Sequence, residues 1–363
     1  MANDRGVSQR KLLNPKGFEA LALDHLKRAI QLNQGHSQSI TRLCLHYVSN
    51  GQLADATELV DESLNFAPQN QDLIYLQALL FYKNSDYAKA LSRIQRFLSS
   101  ASENINFIKL AQKLYDKLND LTNLQYSLEK LIEIDPNNWK HFSRLGNLLQ
   151  EPEDYHRAIL LLEIAWDLSN GHEEVLVEIV RRAGTNSFFD EEGVLHRRPD
   201  LPVLEKYLLI INDRPLSDEY RCHIGQILFE CGMYEACRYQ LSKLETKSFS
   251  DFYLFKGMSD YHLGDLQEAK LNLSKVTHQN KQYCYALYYL AKIDKKLSLP
   301  EFHLYCEEAV HFFNKYTSEI KKKMEVNLSR NHFHNSKLCE IEISKVKNYI
   351  SECIQLKATS IIQ

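Results

Sequence analysis

One spacing constrains this chain more than any other feature, a 34-residue interval that recurs through its first half. Ala22, Ala56, Ala90, Leu124 and Ala158 follow one another at that interval, and Leu26, Val60, Ile94, Leu128 and Leu162 repeat it four residues later. Ahead of them, Ile40, Ile74, Ile108 and Phe142 keep the same step, as do Tyr47, Phe81, Tyr115 and Leu149; Pro68 and Pro136 lie two periods apart. A fixed period of this size marks a stack of small supersecondary units, none able to bury its apolar face alone.

Within one period the pattern is helical. Ile40, Leu43, Cys44 and Tyr47 have the spacing that aligns apolar side chains on one helix face. Asn50-Gly51 breaks that helix, Leu53, Ala56, Val60, Ser63 and Leu64 form a second stripe, and Pro68 with Gln69-Asn70 stops it. Each period is therefore a helical hairpin. The small residue at Ala56, Ala90 and Ala158 lets two antiparallel helices approach closely across a short turn. Only 12 Gly and 8 Pro occur in 363 residues, too few for a sandwich or barrel with many tight turns.

At these positions the chain resembles the tetratricopeptide repeat family. The clearest matches are Phe142, Leu145-Gly146, Tyr155, Ala158, Leu162 and Ala165, and then Tyr253, Gly257, Gly264, Ala269 and Leu273. Cys44, Ala78 and Gln112 stand where the family usually has Gly, and Leu124 replaces Ala. The resemblance covers roughly residues 15 to 313 and implies an all-α, right-handed alpha-solenoid of stacked antiparallel helix hairpins.

The period slips once. From Ala158 to Ala236 the interval is 78, two periods plus ten residues, which places a surplus in Arg181 to Pro202. The expected organisation is a polar arm (1–14), a first repeat block (15–183), an irregular inserted loop (184–199), a second block (200–315) and a C-terminal capping helix with tail (316–363). Asp213-Arg214-Pro215-Leu216 reads as a break between blocks. Leu338, Ile341, Val346, Tyr349, Ile350 and Ile354 form the stripe of the capping helix, which closes the open end of the array.

The family's first helix in each hairpin lines the concave face. Carried over, its non-core positions are Thr41 and Leu45, then Tyr75, Leu79 and Tyr82, then Lys109, Lys113 and Asp116, then Lys140, Ser143, Arg144 and Asn147. The candidate partner-binding groove is thus Tyr75, Tyr82, Lys109, Lys113, Lys140, Arg144 and Asn147, a basic and aromatic surface suited to an extended acidic peptide. Reversing the charge of Lys109, Lys113 and Arg144 together is expected to abolish binding of such a partner. The carboxylate clamp of some family members is not reproduced, because Lys and Arg or Leu occupy its Asn positions. In the inserted loop Phe188, Phe189, Arg197 and Arg198 are candidate contacts, since such side chains are costly to leave idle in water.

Other classes find less support. The net charge of -3 gives no global basic footprint, so nucleic-acid binding would have to be local. His332, His334, Cys339 and Cys353 lack the paired spacing of a structural zinc site, and Cys231 with Cys237 reads as packing rather than a redox pair. Phosphate-cradling loops, nucleophile elbows and His-Glu-x-x-His helices are absent, so neither metal nor cofactor is expected and the chain does not read as an enzyme. Met1 to Asn14 has no apolar run, and no stretch is long enough to span a bilayer, which points to the cytoplasm. The expectation is a protein-interaction scaffold or adaptor. Its rivals are a nucleic-acid-binding helical repeat, using Tyr75, Tyr82 and the lysines, and a regulatory subunit of an enzyme complex.

Overall fold

A computed structural model describes residues 15–98, 104–192, 194–244, 251–329 and 333–358; the polar arm 1–14 lies outside them. The chain forms two compact units, divided between Pro136 and Asn137.

The first unit holds α1 (Pro15–Leu32), α2 (Ser37–Ser49), α3 (Leu53–Phe66), α4 (Gln71–Lys83), α5 (Tyr87–Leu98), α6 (Ile105–Leu118) and α7 (Leu121–Ile134). Hairpins α2–α3, α4–α5 and α6–α7 stack in sequence, α3 packing on α4 and α5 on α6. The periodic residues are its core: Ala56, Ala90, Val60, Ile94 and Leu128 are fully buried.

Both ends of the first helices repeat with the sequence. Asn70 accepts hydrogen bonds from the Asp72 and Leu73 amides, Asn104 from that of Asn106, and 34 residues further Asn138 caps the first helix of the second unit at the Lys140 amide. An asparagine here satisfies helix-terminal N–H groups that have no intrahelical acceptor. At the other end the amide of Gln52 donates to the Tyr47 carbonyl at 2.8 Å, Asp86 to Phe81 at 2.9 Å and Asp120 to Tyr115 at 2.9 Å. This six-to-one bond requires a left-handed residue before it, supplied by Gly51, Ser85 and Asn119.

The second unit holds α8 (Trp139–Leu148), α9 (Tyr155–Leu168), α10 (Glu173–Gly184), β1 (Ser187–Phe189), β2 (Leu195–Arg197), α11 (Leu201–Asp213) and α12 (Asp218–Glu230). It continues through α13 (Tyr234–Ser242), α14 (Phe252–His262), α15 (Leu266–Leu273), α16 (Tyr283–Lys296), α17 (Phe302–Ser329) and α18 (Phe333–Ala358). The first helices α8, α10, α12, α14 and α16 lie side by side, each touching the next but one in chain order.

Three glycines fix the register here. A Cβ on Gly146 would sit 2.9 Å from Leu162, one on Gly225 2.8 Å from Leu241, and one on Gly257 2.7 Å from Leu273. Each leucine is 16 residues beyond its glycine, so the counterpart of Ala158 and Ala269 is the fully buried Cys237, not the half-exposed Ala236. The surplus is consequently eleven residues rather than ten.

That surplus is not irregular. Ser187, Phe188 and Phe189 pair antiparallel with Arg197, His196 and Leu195. Asp190 shapes the turn, its Oδ1 accepting from the Glu192 amide at 3.0 Å and the Val194 amide at 2.7 Å. The expected break at Asp213 to Leu216 is bridged instead. Buried Arg221 donates to Gln240 at 2.8 Å and to the Arg214 carbonyl at 2.7 Å, while Arg214 lies 4.9 Å over the Trp166 ring. The expected boundary at 315 falls inside α17, which runs on for 28 residues. On α18 the buried apolar residues are Cys339, Ile343, Val346 and Cys353, and Ile354 is 58% exposed because the stripe turns one residue away from it.

Candidate functional site

The described residues of the second unit enclose a groove of about 840 Å³. Its sides come from the first helices α8 to α16, with α17 and α18 folding back along the far wall. Three zones differ in chemistry.

The middle is aromatic. Tyr234 stacks on His262 at 4.2 Å with the rings nearly parallel, and His262 Nε2 lies 2.9 Å from the Tyr289 hydroxyl. Burial lowers the His262 pKa below its ordinary value, and Lys292 and Lys296 push the same way, so the imidazole faces the groove uncharged at neutral pH. Phe229 and Phe255 complete this floor.

The α18 side is held by phenol–carboxylate bonds. The Tyr285 hydroxyl donates to Glu342 at 2.6 Å, and Tyr349 stands edge-on to Tyr285 at 5.5 Å. Burial, then the Glu342 charge, raises the Tyr285 pKa far above the phenol range, so this proton stays in place.

The α8–α10 end is basic. Arg181 donates to Asn147 Oδ1 at 3.2 Å and to Glu178 at 2.7 Å. Arg197 of β2 lies 3.7 Å from Glu230, and Arg182 donates to the Glu151 carbonyl at 3.1 Å. Lys337 of α18 sits 4.4 Å over the Phe189 ring, which joins the strand pair to the far wall.

Of the groove residues named from sequence, Asn147 lines this cavity, and Arg197 joins it from the strand pair. Tyr75, Tyr82, Lys109 and Lys113 belong to the first unit. There Tyr75 and Tyr82 are half-buried against the core, Tyr75 edge-on to Phe107 at 5.6 Å, whereas Lys113 is exposed. In the second unit Lys140 is exposed with its ammonium 5.6 Å over Trp139, Arg144 is half-buried, and Ser143 is buried. Phe188 is exposed and stacks on His196 at 5.5 Å; Arg198 is exposed.

Cys231 and Cys237 are packing groups. Cys231 donates weakly to the Gly184 carbonyl at 3.7 Å, and Cys237 fills the small-residue position between α12 and α13. Burial pushes their thiols up to about 11 and about 12. His332 and the side chain of His334 lie outside the described residues, among which no three His, Cys, Asp or Glu side chains gather as metal ligands. No helix among the described residues is long and apolar enough to cross a membrane.

By its own geometry the chain is a tetratricopeptide-like helical repeat protein, an all-α solenoid of hairpins. No family model matches it, and no curated protein matches it. Among solved structures it is similar to a tetratricopeptide repeat protein from Parabacteroides merdae, at 14% identity over 70% of this chain and 98% of that one, with a TM-score of 0.46. It is also similar to the Naa15/Naa10 complex bound to HypK-THB, at 12% identity, 88% and 51% coverage, and TM-score 0.44. YrrB, described as a TPR protein with an unusual peptide-binding site, follows at 16% identity, 53% and 95% coverage, and TM-score 0.42. The repeat assignment rests on the 34-residue spacing and the hairpin packing rather than on these likenesses.

Proposed function

We propose that this chain is a protein-interaction scaffold that holds an extended segment of a partner protein in the groove of its second unit. The observation behind the reading is the groove itself, about 840 Å³, with an aromatic floor and a basic end presented by packed helices. Tyr and Phe rings supply rigid contact area at small entropic cost, and helices already stacked against one another leave little to order on binding. The surface of Tyr75, Tyr82, Lys109 and Lys113 is proposed as a second, separate contact area on the first unit, and Phe188 and Arg198 as contacts beside the groove.

The test is affinity capture from native extract with three forms of the full chain: unaltered, Tyr234→Ala with His262→Ala, and Lys109→Glu with Lys113→Glu and Arg144→Glu. Circular dichroism confirms the fold of each. The groove reading expects a partner that the aromatic variant loses at least tenfold and the charge variant keeps, about the effect of removing one interface anchor. Loss from the charge variant alone moves the site to those residues, and retention by both variants refutes the proposal.

A further inference from the structure

Arg182 is the least expected side chain in the groove. It is only 4% exposed, in the last turn of α10, yet none of its contacts is to a carboxylate. Nη2 donates to the Glu151 carbonyl at 3.1 Å, the guanidinium lies 5.3 Å over the Tyr155 ring, and Nε finds no acceptor among the described residues. Burial lowers its pKa below the ordinary value and Arg181 adds to this, while Asp154 and Glu151 offset part of the cost from outside ion-pair distance. Tyr155 is itself committed, its hydroxyl donating to Asp200 at 2.8 Å.

A guanidinium withdrawn from water is ordinarily paired, because the lost hydration of a charge far exceeds what one neutral acceptor returns. The carboxyl end of α10 offsets some of this through its aligned peptide dipoles. That offset is shared with Arg181, the neighbour in the same turn. Arg181 and Arg197 have carboxylates of their own in Glu178 and Glu230, so of the three arginines at this end Arg182 is the one without an ion pair among the described residues. All three arginines line the groove, beside Asn147, Gln150 and Thr185.

From this arrangement we infer that the α8–α10 end of the groove is a site for a side-chain carboxylate, an Asp or Glu of the bound segment, received by Arg182 with Arg181 and Arg197 alongside. The inference rests on the groove reading above and adds to it the chemistry and the place of one anchor. A guanidinium offers a carboxylate two parallel N–H bonds, a geometry that fixes the register of the segment as well as its charge. The uncharged aromatic floor next to this end would then receive the residues that follow. In the free protein Arg182 is a cost, and in the complex it becomes an ion pair.

The experiment is selection of displayed random dodecapeptides, fused through their carboxyl ends so that no terminal carboxylate is present. The full chain is compared with its Arg182→Met, Arg197→Gln and Tyr234→Ala/His262→Ala variants. The expected result is a wild-type motif with an acidic residue at a fixed offset from aromatic or apolar positions. The selected peptide, remade in synthetic form, should lose affinity about ten- to hundredfold with Arg182→Met, the size of a lost charged hydrogen bond. Arg197→Gln, at an exposed position, should weaken the acidic preference without touching the fold. The melting temperature of Arg182→Met in the absence of peptide separates this role from a structural one. It should stay level or rise, whereas a side chain kept for packing would lower it by several degrees. A motif without an acidic position, or one unchanged in both arginine variants, overturns the inference and leaves the groove standing. Peptides that bind the aromatic variant as well as the wild type bring down the groove reading, and this inference with it.

Discussion

A single methyl group decides the register of the hairpins. Gly146, Gly225 and Gly257 each face a leucine 16 residues on, and at Gly257 the missing Cβ would also stand 3.1 Å from the Leu273 backbone nitrogen. Gly257→Ala must therefore push two helices apart and should cost about 1–3 kcal/mol, read as a lowered denaturation midpoint. Gly232→Ala is the control: nothing lies within 4 Å, and only its φ of +77° resists a side chain, for about 1 kcal/mol. Equal losses at the two sites would contradict the close-approach account. The same contact explains a misreading. By residue type alone Ala236 resembles Ala158 more than Cys237 does, and only the approach of Gly225 to Leu241 shows that the cysteine occupies the equivalent place. The Asn70, Asn104 and Asn138 caps were a 34-residue signal open to sequence reading, hidden because asparagine also reads as a helix stop.

At the scale of elements, helices with two apolar stripes per period were legible, and the strand pair was not. Three-residue strands carry too short an alternation to register, and Ser187, Phe188 and Phe189 are set by Asp190 and by packing on the turn Pro152–Asp154. Asp190 is bonded to two amides and to His196 Nε2 at 2.6 Å, and these bonds, the His196 one largest, hold its carboxyl below the usual range. A carboxyl with a depressed folded pKa stabilises above its unfolded value and loses that contribution as pH falls through the folded one. Hydrogen exchange at Val194 should accordingly stay slow relative to an open loop above about pH 4 and quicken below it. Asp190→Ala should show the fast pattern at every pH. Uniform slow exchange in the variant would mean that the pairing does not depend on this turn.

For the molecule as a whole, the constant period foretold the all-α solenoid, since repeats that touch only their neighbours must copy the same contacts each time. For the same reason it could not reveal the groove of the second unit. Copying the first-helix positions forward favoured residues of the regular repeats, Tyr75 to Asn147. The aromatic floor of the groove is built where the period has already slipped, from Tyr234, His262 and Tyr289, with Tyr349 on the α18 side. Its far wall also needs α17 and α18, whose path back along the array follows from no repeat rule. A site made by irregular parts of a regular fold is visible only once the parts are folded. The most direct measurement of the central claim is site-specific photo-crosslinking of the full chain in native extract. A benzophenone amino acid is placed at Tyr234 in the groove or at Leu209, 70% exposed on α11 and not among the groove-lining residues. The account predicts a discrete crosslinked partner from position 234, none from position 209, and mass spectrometry that maps the adduct to one short segment with an acidic residue. A partner crosslinked equally from both positions, or from Leu209 alone, would contradict it.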